Sequence, residues 1–295
     1  MATIPHGSYT ALVTPFTKEG ALDEAALRKL VRAQLGSGTS GLVPCGSTGE
    51  AATLSHEEYR RVIELTLAES RGELPVFAGV GTNDTAKALQ LARECESLGA
   101  DGLLVLAPYY NKPTQEGLYR HFKAVAQSTT LPIIAYNIPG RTAVNIAPKT
   151  MVRIAEDCKN VLAVKEAAGS LDQVSEILCY APKGFTVLSG DDSLTLPMMA
   201  VGAKGVISVL SNIAPKAVAD LCKTALKGDC KKAAALHLKM FPLIKALFLE
   251  TNPIPVKAAL GLMGLCESRP RLPLTPLSAA FKGVLRDELK AFGLI

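Results

Sequence analysis

"VLAVKEAAGSLDQVSEILCYAPKGFTVLSGDD" (residues 161–192) contains the unit on which the fold is read. Val161–Val164 is a short, solidly apolar run. Residues 171–180 carry a weaker helical pattern, and a second short run covers Thr186–Ser189. Apolar runs without alternation mark strands covered on both faces, as in a parallel sheet. The same unit recurs in both directions. Further runs lie at Tyr9–Thr14, Gly41–Pro44, Val76–Val80, Gly102–Leu106, Ile133–Tyr136 and Gly205–Val209. Amphipathic segments at 23–35, 55–70, 85–98, 115–127 and 147–157 fill the gaps. Asp23 is a candidate N-cap, and Ser55 with Glu58 has the spacing of a capping box. Eight β/α units in one run predict an α/β chain folded as a (β/α)₈ TIM barrel. A doubly wound sheet is the alternative, but its first turn lacks a phosphate fingerprint.

After the eighth run the periodicity becomes purely helical, over 215–227, 229–250, 253–265 and 276–292. Pro215, Pro253 and Pro276 suit first-turn positions, with Asn252 and Thr275 as N-caps, and Pro242 is expected to kink its helix. One of these helices completes the barrel. The expected division is a barrel over 1–225, carrying the active site, and a small C-terminal helical domain over 226–295.

Composition narrows the function classes. Of 295 residues 48% are hydrophobic, so a large core needs no staples. The net charge of +5 is spread out, with no basic run longer than two residues, so no nucleic-acid partner is expected. No apolar run reaches 18 residues, so no membrane partner is expected either. The seven cysteines are odd in number and include no C-x-x-C pair, which points to reduced thiols. The opening "MATIPHGSYTALVTPF" has no basic segment followed by an apolar one, so the expected location is cytoplasmic. Gly-Lys does not occur, "GVGTND" (79–84) lacks a third glycine, and no G-x-S-x-G elbow is present. The four histidines lie far apart without ligand spacing, so no metal site is expected.

In a barrel of this kind chemistry sits at the C-terminal ends of the strands. Those ends carry "CGSTGE" (45–50), "PYYN" (108–111), "YNIPGRT" (136–142), Lys165-Glu166 and "SGDD" (189–192). Side chains alternate along a strand, so with Val161 and Ala163 inward, Lys165 also points inward and Glu166 toward the helices. A lysine of ordinary pKa, ~10.4, holds only ~0.04% free amine at pH 7. Lowering that pKa by three units costs about 4 kcal/mol, which a structural lysine has little reason to incur. A nucleophile does, because only the neutral amine attacks a carbonyl. The competing reading is a lysine neutralised by Asp191 or Asp192. Tyr136 is placed to relay protons, and the glycine-flanked turn "GSTGE" is of a type that forms anion nests.

"GSTGEAATLS", "PYYNKPTQEGLYRHF", "YNIPGRTAVN", "AVKEAAGS", "LSGDDS", "GVISV" and "NPIPVKAAL" together resemble the dihydrodipicolinate synthase family of pyruvate-dependent class I aldolases, in order and over nearly the whole chain. The resemblance implies condensation of pyruvate with aspartate semialdehyde on the route to diaminopimelate and lysine, with no dissociable organic cofactor. It implies a Schiff base of pyruvate on Lys165, with Tyr136 as proton relay. Ser47 stands where the family usually has threonine, and Tyr110 matches a second tyrosine contributed across a dimer interface. Gly46, Thr48 and Gly49 would hold the pyruvate carboxylate, and Arg141 that of the aldehyde. The backbone at Gly190 and Ile207 would line the pocket. The implied assembly is a homotetramer of tight dimers.

Two departures are visible. Ser47 keeps the hydroxyl but loses the methyl that restrains χ1. At the positions of the family's lysine-binding allosteric pocket stand Ala51, Ala52, His56, Tyr59, Asn83, Lys87 and Tyr109. Tyr59 replaces an expected histidine, and Lys87 replaces a glutamate expected to bind the effector's ammonium. Weak or absent lysine inhibition is therefore expected. The competing activities are those of N-acetylneuraminate lyase or a keto-deoxy sugar acid aldolase. Arg141 disfavours them, because such relatives generally lack that arginine.

Overall fold

A computed structural model describes residues 4–295. All eight expected strands form: β1 (Gly7–Ala11), β2 (Gly41–Val43), β3 (Phe77–Val80), β4 (Gly102–Leu106), β5 (Ile133–Asn137), β6 (Val161–Glu166), β7 (Thr186–Ser189) and β8 (Gly205–Ser208). Every pairing is parallel, in the order β2-β1-β8-β7-β6-β5-β4-β3. The ring closes where β2 meets β3. Leu42 bridges to Val76 there, its amide donates to Pro75 O at 2.9 Å, and Gly79 N donates to Pro44 O at 2.9 Å. Position 79 admits only glycine at this approach, since a Cβ would sit 2.2 Å from Cys45 O.

The helices are α1 (Glu24–Arg32), α2 (His56–Ser70), α3 (Thr85–Ser97), α4 (Gln115–Gln127), α5 (Pro139–Thr142), α6 (Pro148–Asp157), α7 (Leu171–Tyr180), α8 (Thr195–Ala200), α9 (Pro215–Leu226), α10 (Cys230–Ala246), α11 (Ile254–Leu262) and α12 (Ala279–Phe292). Asp23 caps α1 through Ala26 N, and Ser55 with Glu58 closes the capping box of α2. Such caps satisfy first-turn amides that otherwise lack partners, each worth about 1 kcal/mol.

Two apolar layers result. Inside the barrel lie Tyr9, Phe77, Leu104, Ile134, Leu188 and Ile207. Tyr9 and Phe77 meet edge to face at 5.6 Å. Between strands and helices a larger cluster runs from Leu12 to Ala203. A third cluster joins Val13 and Val206 to α9–α12, so the C-terminal helices share a core with the barrel wall.

Several expectations shift. The register between β5 and β6 slips at Ile133/Ile134, so Val161 packs in the outer layer and the inward alternation starts at Ala163. β1 spans Gly7–Ala11 rather than Tyr9–Thr14, because Val13 N donates to the Asn212 side chain instead of a neighbouring strand. The six-residue α8 has no counterpart in the sequence pattern, being too short to show a helical period. α10 continues through Pro242 and ends at Ala246, four residues short of the expected end. Asn252 does not cap α11. Its side chain turns to Thr48, and Pro253 occupies the cap position. α12 starts after Ser278 rather than Thr275, since Leu277 is buried in the core just before it.

Candidate active site

Lys165 ends the inward-facing row of β6, paired in register with Tyr136 on β5 and Leu188 on β7. It is 6% exposed. Burial among apolar walls lowers its pKa to about 8, and the Asp191 and Asp192 charges only partly offset this. No carboxylate pairs with it within 4.0 Å among the described residues. Asp192 is engaged elsewhere, accepting from Ser208 Oγ at 2.5 Å, Val209 N at 2.9 Å and Leu210 N at 3.1 Å. Asp191 acts on Lys165 through its charge without a direct ion pair, so the lysine is not held as a paired structural group. Glu166 faces outward as expected, accepting from Asn137 Nδ2 at 3.0 Å, Gln173 Nε2 at 2.9 Å and Ala168 N at 2.7 Å.

Lys165 Nζ overlies the Tyr136 ring, 4.1 Å from its centroid. Burial pushes the Tyr136 phenol up, opposed by the nearby Arg141 charge and the neighbouring Ser47 hydroxyl. A buried phenol that keeps its proton beside a hydroxyl can pass a proton without becoming a standing anion. Gly190 leaves room for the lysine stem. A Cβ there would lie 2.6 Å from Ala167 Cβ and 3.3 Å from Lys165 Cε.

The turn after β2 is wound tightly. Gly49 N and Glu50 N donate to Gly46 O and Ser47 O at 3.1 and 3.2 Å. The Gly46, Ser47 and Thr48 amides have no backbone acceptor among the described residues, so they remain for a ligand. Gly49 contributes shape, its carbonyl taking the Thr14 hydroxyl at 2.7 Å. Thr48 Oγ1 accepts from Asn252 Nδ2 at 2.9 Å. Arg141, on the short α5, donates from Nη2 to Asn252 O at 2.8 Å, which fixes its forked head near the mouth.

A cavity of about 350 Å³ opens here, walled by Gly46, Ser47, Tyr136, Arg141, Tyr109 and Asn252. Lys165 is not on its wall and meets it through Tyr136. Ile207 lies in the barrel interior. Tyr110 is not brought to the site within one chain: it is 86% exposed, at φ +73°. The expected effector positions stand as follows. Ala52 and Tyr109 reach the cavity wall, whereas Tyr59 is a core residue whose hydroxyl donates to Gly79 O at 2.9 Å. His56 Nε2 lies 3.2 Å from Glu94, Asn83 O accepts from Asn111, and Lys87 is exposed.

Sequence reasoning missed Glu50, Asn252 and Lys257 as contributors. Lys257 is wholly buried on α11 and paired with Glu50 at 2.6 Å. Neither spacing nor periodicity links positions two hundred residues apart. A lysine inside the otherwise apolar "IPVKAAL" was the one available signal.

Fold and site together define a (β/α)₈ barrel built around a depressed-pKa lysine at a strand end, with a phenol–hydroxyl pair and an arginine at the mouth. The chain belongs to the dihydrodipicolinate synthetase family, whose model matches residues 4–292. It is 53% identical over 289 residues to a 4-hydroxy-tetrahydrodipicolinate synthase of Syntrophus aciditrophicus, covering 98% of this chain and 99% of that one. A relative of the same name from Geobacter sulfurreducens is 52% identical, with the same coverage. The solved dihydrodipicolinate synthase of Thermotoga maritima superposes with a TM-score of 0.97 at 47% identity, covering 99% of this chain and all of that one. The Acinetobacter baumannii dihydrodipicolinate synthase, solved with pyruvate, gives 0.97 at 44% identity and the same coverage.

Proposed function

We propose that this protein condenses pyruvate with L-aspartate 4-semialdehyde to 4-hydroxy-tetrahydrodipicolinate through a Schiff base on Lys165. The carrying observation is the unpaired, buried Lys165 amine against Tyr136. With a pKa of about 8, about a tenth of the amine is neutral at pH 7, some hundreds of times more than in an ordinary lysine. The neutral Nζ attacks the C2 carbonyl of pyruvate. The carbinolamine loses water to give the imine, with Tyr136 and Ser47 relaying the protons. Removal of a C3 proton gives the enamine, whose C3 attacks the aldehyde carbon. The amine of the second substrate then adds to C2 and releases Lys165 as the ring closes.

Ser47 and Thr48 amides suit the pyruvate carboxylate, with Gly46 and Gly49 shaping the turn. Arg141 suits the carboxylate of the aldehyde, as a fork of donors does. Gly190 and Ile207 supply wall. No metal or organic cofactor takes part in this reading. Tyr110 acts in the neighbouring subunit of a dimer, and two dimers form a tetramer. Its exposure within one chain supports that assignment, although one relative of 47% identity is a monomeric dihydrodipicolinate synthase variant. The barrel over 1–225 carries the chemistry and 226–295 braces it. A cytoplasmic setting agrees with seven unpaired cysteines.

The test is borohydride trapping with pyruvate, read by intact mass, beside turnover assays on aspartate semialdehyde and on sugar acids. A pyruvate-sized gain absent from Lys165→Ala, with turnover of the semialdehyde alone, is expected. No mass gain, or a gain that survives the substitution, overturns the mechanism.

A further inference from the structure

Glu50 and Lys257 form an ion pair at 2.6 Å in which Lys257 is fully buried and Glu50 is 5% exposed. Such a pair is weak evidence of a stabilising role, since well-packed apolar side chains often serve as well or better. Its location suggests another use. Glu50 is the last residue of the turn that begins at Gly46, and it sits at φ +51°, a conformation uncommon for a residue with a side chain. Conformations of that kind persist only where the surroundings over-determine them.

The surroundings here do so. One Glu50 carboxylate oxygen takes Lys257 Nζ and the other takes Arg271 N at 2.9 Å. Lys257 Nζ also donates to Thr14 O at 3.1 Å, and the Thr14 hydroxyl in turn donates to Gly49 O at 2.7 Å. Just before α11, Asn252 donates to Thr48 Oγ1. Thr48, Gly49 and Glu50 are therefore each held from outside the turn, and two of the three tethers lead to α11 and the residues before it. What the tethers fix is the direction of the Ser47 and Thr48 amides, which, like that of Gly46, have no backbone acceptor among the described residues.

We infer that the buried Glu50–Lys257 pair is a positioning device that sets the Gly46–Glu50 turn to receive the carboxylate of a 2-keto acid. Glu50 and Lys257 are positioning residues, since both act through the turn. This rests on the functional reading above. Removing either charge frees Glu50 to leave its left-handed conformation. The two amides then diverge, while Lys165, on the far strand β6, keeps its place.

The test compares the parent with Glu50→Gln, Lys257→Met and the double variant, which leaves no unpaired buried charge. Each is titrated with pyruvate, and the trapped Lys165 adduct is quantified after borohydride reduction, beside a thermal melt. The expected result is at least a tenfold rise in the pyruvate concentration for half-maximal trapping in all three. Trapping at saturation should remain complete. The double variant should recover melting temperature relative to the singles without recovering affinity. An unchanged half-saturation point in any folded variant overturns the inference. So does loss of folding in all three, which would make the pair a support of the whole barrel. Failure of the parent to trap pyruvate would instead strike the functional reading.

Discussion

Lys165→Met should stabilise the folded protein at neutral pH. The unfolded lysine titrates near its ordinary value of 10.5, whereas in the fold burial lowers it to about 8. Below pH 8 the lysine is protonated in both states, and the folded state bears the full penalty of a desolvated charge. A gap of this size corresponds to about 3 kcal/mol. As pH rises through 8 the folded state sheds its proton first and the penalty shrinks. Above 10.5 both states are neutral and it is gone. Methionine fills a similar volume without a charge, so the variant should gain about 3 kcal/mol at pH 7 and little at pH 10.5. With about 2 cal/mol/K of unfolding entropy per residue, that is about 5 °C in melting temperature for a chain of this length. Paired melts of parent and variant across pH 6–10.5 measure it. A variant no more stable than the parent at pH 7, or a difference that does not shrink with rising pH, refutes the picture of an unpaired lysine held at a cost for its reactivity.

Ser47→Ala removes the hydroxyl beside Tyr136 and should lower kcat by about 10²-fold while borohydride trapping persists, whereas Ser47→Thr should stay within a few-fold of the parent. Equal turnover in Ser47→Ala, measured with both substrates saturating, would remove the hydroxyl from the relay. Free lysine at 10 mM should leave the steady-state rate unchanged, because Tyr59 is committed to the core and Lys87 presents a like charge. Inhibition at or below 1 mM would show that an effector site survives these changes.

The fold was legible because each strand is a short apolar run between capped amphipathic segments. That is local information, and Ser55 with Glu58 shows it at its clearest. Lys165 was legible for a related reason. Alternation from Ala163 fixes its inward direction, and Glu166 goes outward to Gln173 as the same parity requires. The outward placing of Val161 was not legible, since a one-residue slip against Ile133 leaves no mark in hydrophobicity. Asn252 read as a helix cap because its local context, before Pro253, suits one. Its actual partner, Thr48, is 204 residues away. Glu50, Lys257 and Arg271 belong to the same class. Their roles arise from packing between distant segments, and no window along the chain contains both partners.

The tethers from Asn252, Lys257 and Arg271 also have a consequence in time. During synthesis the eight strands and Lys165 leave the ribosome well before these residues do. At 5–20 residues per second, the roughly sixty residues between the end of β8 and the last tether give a lag of about 3–13 seconds. Through that interval a barrel could close around its lysine while the turn that accepts the keto acid is still unbraced. On the inference drawn above, a chain that stops short of Asn252 is expected to carry the amine without the braced turn that orients its partner.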